Sequence, residues 1–360
     1  MKNNTTSKEK DANSRQKIIF IGGIGKNDEF GGELTKNKEI LSRFQELGLL
    51  VSVIDTYQCR KSKKKLLKVF FQFFWRILSN LRATIVFSTS FKNIYTFLKI
   101  LYYFPIRRRV VIWVIGGNLS LEIEKNEYAF KYLSFVHKFL VEGEKMKVEM
   151  NRMGIKNVMH VPNFKTIKEL PSVQKEDGCI SFLFLSRITP EKGCRYIIEA
   201  VEILNKKGLG DRFSVDFYGS IEQNYWDEFK NGIERNSNIS YKGTLQLQNS
   251  QNYNILSSYH YMIFPTYWKG EGFPGVIIDA YKCGVPVLAS DWNFNDEFVK
   301  HGVTGILYKT HSLEELCTVL EKAIDRGYDF HLLSRNCQKV VWEYDTKNVI
   351  TYDLVKSILN

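Results

Sequence analysis

Two carboxylates, Glu271 and Asp279, stand with seven residues between them in the stretch FPTYWKGEGFPGVIIDAYKCGVPVLASD, residues 264–291. Glu271 stands just before a helix, and Asp279, eight positions later, can sit on that helix's first turns. Between them lie Gly272, Phe273, Pro274, Gly275 and Val276, and Thr266 opens the loop. Pro274 suits a helix's first turn, where its missing N–H would have no partner anyway. Gly275 lets a ligand come close to the backbone. The open N–H groups and positive dipole end of such a helix favour phosphate. A second junction, SRITPEKG, carries Arg187 and Lys192, five positions apart. The helix dipole disfavours cations at a helix start, so a pair there points to an anionic partner. The structural alternatives are an ordinary strand–helix–strand unit with solvated carboxylates, and a surface pair of cations.

These residues need a scaffold of alternating strands and helices. Residues 259–265 form an apolar run that reads as a buried strand, the helix follows at 276–283, Gly284 stops it, and 285–289 returns as a strand. The same alternation runs upstream: strands at 179–186, 213–218 and 239–242, and helices at 194–206, 222–234 and 246–257. Helices are expected at 313–326, 328–342 and 345–358. Apolar strands with intervening amphipathic helices predict a doubly wound parallel sheet, with ligands at the carboxyl ends of its strands. Gly219 and Gly243, each just past a strand, fit either that ligand edge or plain turns. The first half repeats the pattern. Residues 17–22 (KIIFIG), 49–54, 83–88 and 110–115 read as strands, and the segments 135–142 and 158–164 complete that domain. A helix at 33–47 follows the loop GGIGKNDEFGG, which is not a GxGxxG and is weak evidence for phosphate by itself.

The strand–loop–helix at 264–291 resembles the nucleotide-sugar site of retaining glycosyltransferases of the GT-B fold, family 4, and SRITPEKG resembles that family's second signature. The resemblance covers nearly all of residues 17–358, specifically in the second half and loosely in the first. It implies two Rossmann-like doubly wound domains facing a cleft, with a last helix crossing back to the first domain. It also implies transfer of a hexose from a UDP- or GDP-sugar, Glu271 on the donor sugar, Asp279 on the ribose, and Arg187 with Lys192 on the diphosphate. Gly31 and Gly32 match the family's paired glycines near the diphosphate or acceptor. Gly116 and Gly117 follow a strand after which many members carry a His; here Gly116 stands instead, as in some polysaccharide-building members. Asp279 stands where the family usually has Glu. There is no DxD triplet, so neither cofactor nor metal is expected. On this reading the chain divides into a polar tail at 1–16, an acceptor- and membrane-facing domain at 17–165, a linker at 166–178, a donor-binding domain at 179–341 and a returning helix at 342–360.

The 360 residues suffice for two domains. Six scattered cysteines without a CxxC indicate neither a zinc site nor a disulfide framework, and fit a reducing cytoplasm. The polar start is no signal peptide, and no apolar run approaches bilayer-spanning length. The net charge of +12 is uneven: through residue 164 there are 29 Lys plus Arg against 14 Asp plus Glu, and afterwards 22 against 25. No Asp or Glu occurs from 56 to 121. Within that span RKSKKKLLKVFFQFFWRILSNLR sets Lys63, Lys64 and Lys65 beside a broad apolar face including Phe70, Phe74 and Trp75, and residues 92–109 repeat the combination. A basic helix with an aromatic face suits an anionic membrane surface. Solvated core helices are one alternative. Nucleic-acid binding is another, but the aromatics alternate with Leu and Ile in blocks better suited to lipid or core than to bases. The sequence therefore reads as an enzyme peripheral on the cytoplasmic face of the membrane, with a lipid-linked glycan acceptor, in assembly of a bacterial surface polysaccharide. A rival of another class is a non-catalytic lipid- or nucleic-acid-binding protein on a decayed transferase scaffold.

Overall fold

The computed structural model describes residues 17–360 except 27, 28, 30, 58, 60, 61, 104–107, 126, 174, 176, 177 and 248–250. The expected N-terminal tail lies outside the described residues. The chain forms two compact units, Met1–Thr166 with Asp345–Asn360, and Ile167–Tyr344.

Each unit is built on a six-stranded parallel sheet. The first holds β1 (Lys17–Gly22), β2 (Leu50–Asp55), β3 (Thr84–Thr89), β4 (Val110–Val114), β5 (Lys138–Val141) and β6 (Val158–His160). The second holds β7 (Ile180–Leu185), β8 (Phe213–Tyr218), β9 (Ile239–Tyr241), β10 (Tyr261–Phe264), β11 (Val287–Ser290) and β12 (Gly305–Tyr308). Strands covered on both faces read as continuous apolar runs, as ISFLFL at β7 and VVIWV at β4 do. The orders are β2-β1-β3-β4-β5-β6 and β12-β11-β10-β7-β8-β9. The direction of winding reverses between β1 and β3 in one sheet and between β7 and β10 in the other. Helices leave the sheet on opposite sides at that point, which opens a crevice at the strands' carboxyl ends. In the second sheet the register across it pairs Tyr261 with Phe182 and Met262 with Leu183.

The second unit's core is aromatic and aliphatic, with Phe182, Phe184 and Phe217 fully buried beneath Ile197, Val201 and Leu320. The first unit's core joins Phe20, Phe44 and Trp113 to Ile350, Leu354, Val355 and Ile358 from the chain's end. That end is not one helix over 345–358 as expected. Thr346–Val349 and Tyr352–Leu359 are separate, with Ile350 at φ −93°, ψ 75° and Thr351 capping the second helix through its hydroxyl. The expected helix at 246–257 is reduced to Asn252–Ser257, its first part lying partly outside the described residues, and that at 328–342 to Phe330–Val340. The helix at 275–282 begins one residue earlier than its apolar run indicates, so Pro274 is its cap rather than a first-turn residue.

Candidate active site

Both polar motifs of the second unit emerge from the two strands at the reversal point. Arg187 and Lys192 follow β7, and Thr266 and Glu271 follow β10. After β7 the chain makes a short 3-10 turn, Pro190–Lys192, and Gly193 at φ 77° then admits the helix Cys194–Lys206. A Cβ at Gly193 would strike the Pro265 carbonyl, so this glycine is what lets the two loops touch. Backbone bonds from Tyr267 N to the Glu191 carbonyl (2.8 Å) fasten them together.

The result is a buried ion pair. Lys192 Nζ donates to Glu271 Oε2 at 2.5 Å, and each residue is only 6% exposed. Thr266 Oγ1 donates to the same oxygen at 2.8 Å, and Ser290 Oγ donates to the Thr266 carbonyl at 2.7 Å. Asn293, itself at φ 53°, donates Nδ2 to the Glu271 carbonyl at 2.6 Å. Glu271 is thus fixed in direction by groups from β7's loop, β10's end and β11's end. The exposed indole of Trp268 completes the cluster, with Lys192 Nζ 4.6 Å and Arg187 Cζ 5.5 Å from its ring centroid. The guanidinium at 187 and the carboxylate at 271 therefore belong to one group of side chains. Arg187 is exposed and, among the described residues, meets no carboxylate.

Several expected donor contacts have other partners. Phe273 is buried, stacked on Phe298 (3.8 Å between centroids, 5°) and edge-on to Tyr344 (4.9 Å), so its ring belongs to the core. Thr266 is fully buried and serves Glu271. Asp279 lies buried on the helix Gly275–Lys282 and accepts from Tyr253 Oη at 2.8 Å. Gly272 and Pro274 are buried, while Gly275 and Val276 at the helix start are partly exposed. Gly219 N donates to the Gly243 carbonyl at 2.8 Å, and a side chain at Gly219 would run into Ser186, so a turn and a close strand approach account for both glycines.

In the first unit Gly31 caps the helix Gly32–Glu46, and Gly116 sits at φ 96° just past β4 with Gly117 buried beside it. That helix also carries groups the sequence reading missed. Lys36 Nζ donates to Glu142 Oε1 at 2.5 Å, with both residues buried. Asn37 Nδ2 donates to the carbonyls of Gly23 (2.9 Å) and Ser88 (3.0 Å), bridging the ends of β1 and β3 at the reversal point. The signal was present: Asn37 falls three residues from both Leu34 and Ile40, on the face that the apolar spacing buries.

The basic aromatic segment forms the helix Lys63–Ser79. Its face toward the sheet is Val69, Phe73 and Ile77. Phe70 and Phe74, expected to face outward, are half-buried: Phe70 stacks on Phe97 (5.1 Å) and Phe74 meets Phe73 edge-on (5.9 Å). The outward apolar stripe is instead Leu67 (70% exposed), Phe71 (77%), Trp75 (67%) and Leu78 (55%). Lys64 and Lys65 are exposed, and the Lys63 side chain lies outside the described residues. Among the described residues no helix is long and apolar enough to cross a membrane.

Residues 166–339 match the glycosyl transferases group 1 family. The chain is 22% identical over 206 residues to the UDP-Gal:α-D-GlcNAc-diphosphoundecaprenol α-1,3-galactosyltransferase of Escherichia coli (57% of this chain, 52% of the relative). It is 20% identical over 215 residues to the poly(ribitol-phosphate) α-N-acetylglucosaminyltransferase of Staphylococcus aureus (59% and 41%). The matched stretches thus span about half the length of these relatives. Among solved structures, Anabaena Alr3699/HepE in complex with UDP superposes with a TM-score of 0.70 at 16% identity, over 95% of this chain and 99% of that one. The lipopolysaccharide outer core galactosyltransferase WaaB superposes at 0.69 and 13% identity, with the same coverage. The paired parallel sheets and their strand order agree with this likeness: the chain has the GT-B fold, and its residues 166–339 match the glycosyl transferases group 1 family.

Proposed function

We propose that this protein is a retaining glycosyltransferase that moves a sugar from a UDP-sugar to a lipid-linked glycan acceptor in polysaccharide biosynthesis. The observation that carries the reading is the convergence of Arg187, Lys192 and Glu271 from two loops at the second sheet's reversal point. Arg187 and Lys192 stabilise the departing diphosphate, aided by the N-terminus of the helix Gly275–Lys282. Glu271, held in direction by Thr266 and Lys192, orients the sugar hydroxyls. Asp279, with Tyr253, takes the ribose. As the bond from C1 to the diphosphate oxygen breaks, the acceptor oxygen bonds to C1 on the same face, and its proton goes to the leaving diphosphate. Two fixed cations do this without a metal, so turnover is expected to survive excess EDTA. The neighbour with UDP bound favours uridine as the base, and the relative named for a diphosphoundecaprenol acceptor favours a lipid-linked substrate.

The first unit carries the acceptor, beside Gly31, Gly32, Gly116 and Gly117, and meets the cytoplasmic face of an anionic membrane through the helix Lys63–Ser79. What supports this is the exposed Leu67–Phe71–Trp75 stripe beside exposed lysines, in a span without acids. A panel of nucleotide sugars incubated with the protein tests the reading. UDP released from one UDP-sugar, and lost in Glu271→Ala, is the expected result; turnover unchanged in Glu271→Ala would overturn it.

A further inference from the structure

The indole of Trp268 has no place in the transfer chemistry above, yet it lies against both cations of the site. Its backbone is held on both sides. Trp268 N donates to Thr266 Oγ1 at 3.3 Å, and its carbonyl accepts from Glu271 N at 3.0 Å and from Trp292 Nε1 at 2.9 Å. Two positions on, Gly270 leaves room for the ring: a Cβ there would come within 2.6 Å of the indole carbon Cζ2. The two cations differ in what else holds them. Lys192 is buried and bonded to Glu271. Arg187 is exposed, and among the described residues the indole is the group that meets its charge. A long, unrestrained arginine loses rotamer freedom when it is fixed on a ligand. The negative face of an aromatic ring can hold a guanidinium beforehand, and can lessen the repulsion between two like charges.

We infer that Trp268 is a positioning residue for the donor's diphosphate: its ring fixes Arg187 and Lys192 in the geometry that receives the two phosphates. This rests on the donor reading above and gives a role to a residue of the first motif to which the sequence alone assigned none. The consequence is specific to the phosphates. Removing the ring frees Arg187 and weakens diphosphate recognition, while contacts to base and ribose stay intact.

The test is calorimetric titration of the full-length protein with UDP and, separately, with uridine. For Trp268→Ala the expected result is about tenfold weaker UDP binding, in keeping with loss of cation–π contacts, and unchanged uridine binding. Trp268→Phe should restore most of the UDP affinity. Gly270→Ala, which keeps the indole but crowds it, should weaken UDP in the same selective way. Equal affinity of wild type and Trp268→Ala for UDP overturns the inference, as does an equal loss for UDP and uridine, which would mean a structural role only. Wild-type protein that binds UDP no better than uridine overturns the diphosphate reading itself, and the inference with it.

Discussion

Glu271 and Lys192 form one contact on which both the local fold and the proposed chemistry rest. A buried pair 2.5 Å apart costs desolvation of both charges, and removing one partner leaves the other uncompensated, at roughly 3–5 kcal/mol. Glu271→Ala is therefore expected to lower the urea midpoint as well as to cut transfer by about a hundredfold or more, the usual scale for deleting one preorganised polar group. Urea melts beside initial rates separate the two effects. Glu271→Gln keeps the shape and should recover stability more than rate. Elsewhere in this unit Lys175 donates to the carbonyls of Ser257 (2.8 Å) and Tyr259 and lies 5.3 Å from the Phe330 ring. Burial pushes its ammonium down to about 7. The unfolded chain, with an ordinary lysine, then binds more protons between pH 7 and about 10.5, so this residue's contribution to stability rises with pH over that window. Urea melts at pH 7 and pH 9 should show a larger gain for wild type than for Lys175→Met.

The helix Lys63–Ser79 has one packed and one exposed apolar face, and its substitutions should divide accordingly. Phe73 and Ile77 face the sheet, and Phe70 closes on Phe97. Phe73→Ala should destabilise by about 3–5 kcal/mol, as other large-to-small core changes do. Phe71→Ser with Trp75→Ser touches the exposed stripe, so the urea midpoint should hold while sedimentation with phosphatidylglycerol vesicles falls. Lys63→Glu, Lys64→Glu and Lys65→Glu together should weaken that sedimentation further, each basic residue near an anionic surface being worth about 1 kcal/mol. Unchanged sedimentation in both variants would rule out this helix as the membrane contact.

Across the whole chain, the last residues complete the first unit. Ile350, Leu354, Val355, Ile358 and Leu359 enter its core, Lys138 Nζ donates to the Ser357 carbonyl at 2.8 Å, and Arg43 Nε to that of Ile350 at 3.1 Å. Full burial of such side chains is worth about 1.5–3 kcal/mol each, and five together rival the 5–15 kcal/mol of a typical domain. Ending the chain at Tyr344 should therefore leave residues 17–166 open to protease while 167–344 resists. Ile358→Ala alone should cost about 2–5 kcal/mol, read as a lower midpoint of the first unit's transition.

The sequence by itself determined the βα alternation, the parallel sheets, and the two loops that carry Arg187, Lys192 and Glu271. Those follow from local rules: apolar runs covered on both faces, helical spacing, and glycines where the backbone must turn or admit a neighbour. It left undetermined which aromatics face outward, because Phe70, Phe71, Phe73, Phe74 and Trp75 crowd into six positions broken only by Gln72, and only docking against Phe97 and the sheet selects the buried ones. Nor could it pair residues far apart in the chain. The bond from Lys192 to Glu271, the bridge from Asn37 to Ser88 and the indole over Arg187 arise where strand order reverses, and the salt link of Lys36 with Glu142 joins the helix after β1 to the end of β5. Strand order is a property of the assembled sheet, fixed by long-range burial rather than by any local stretch.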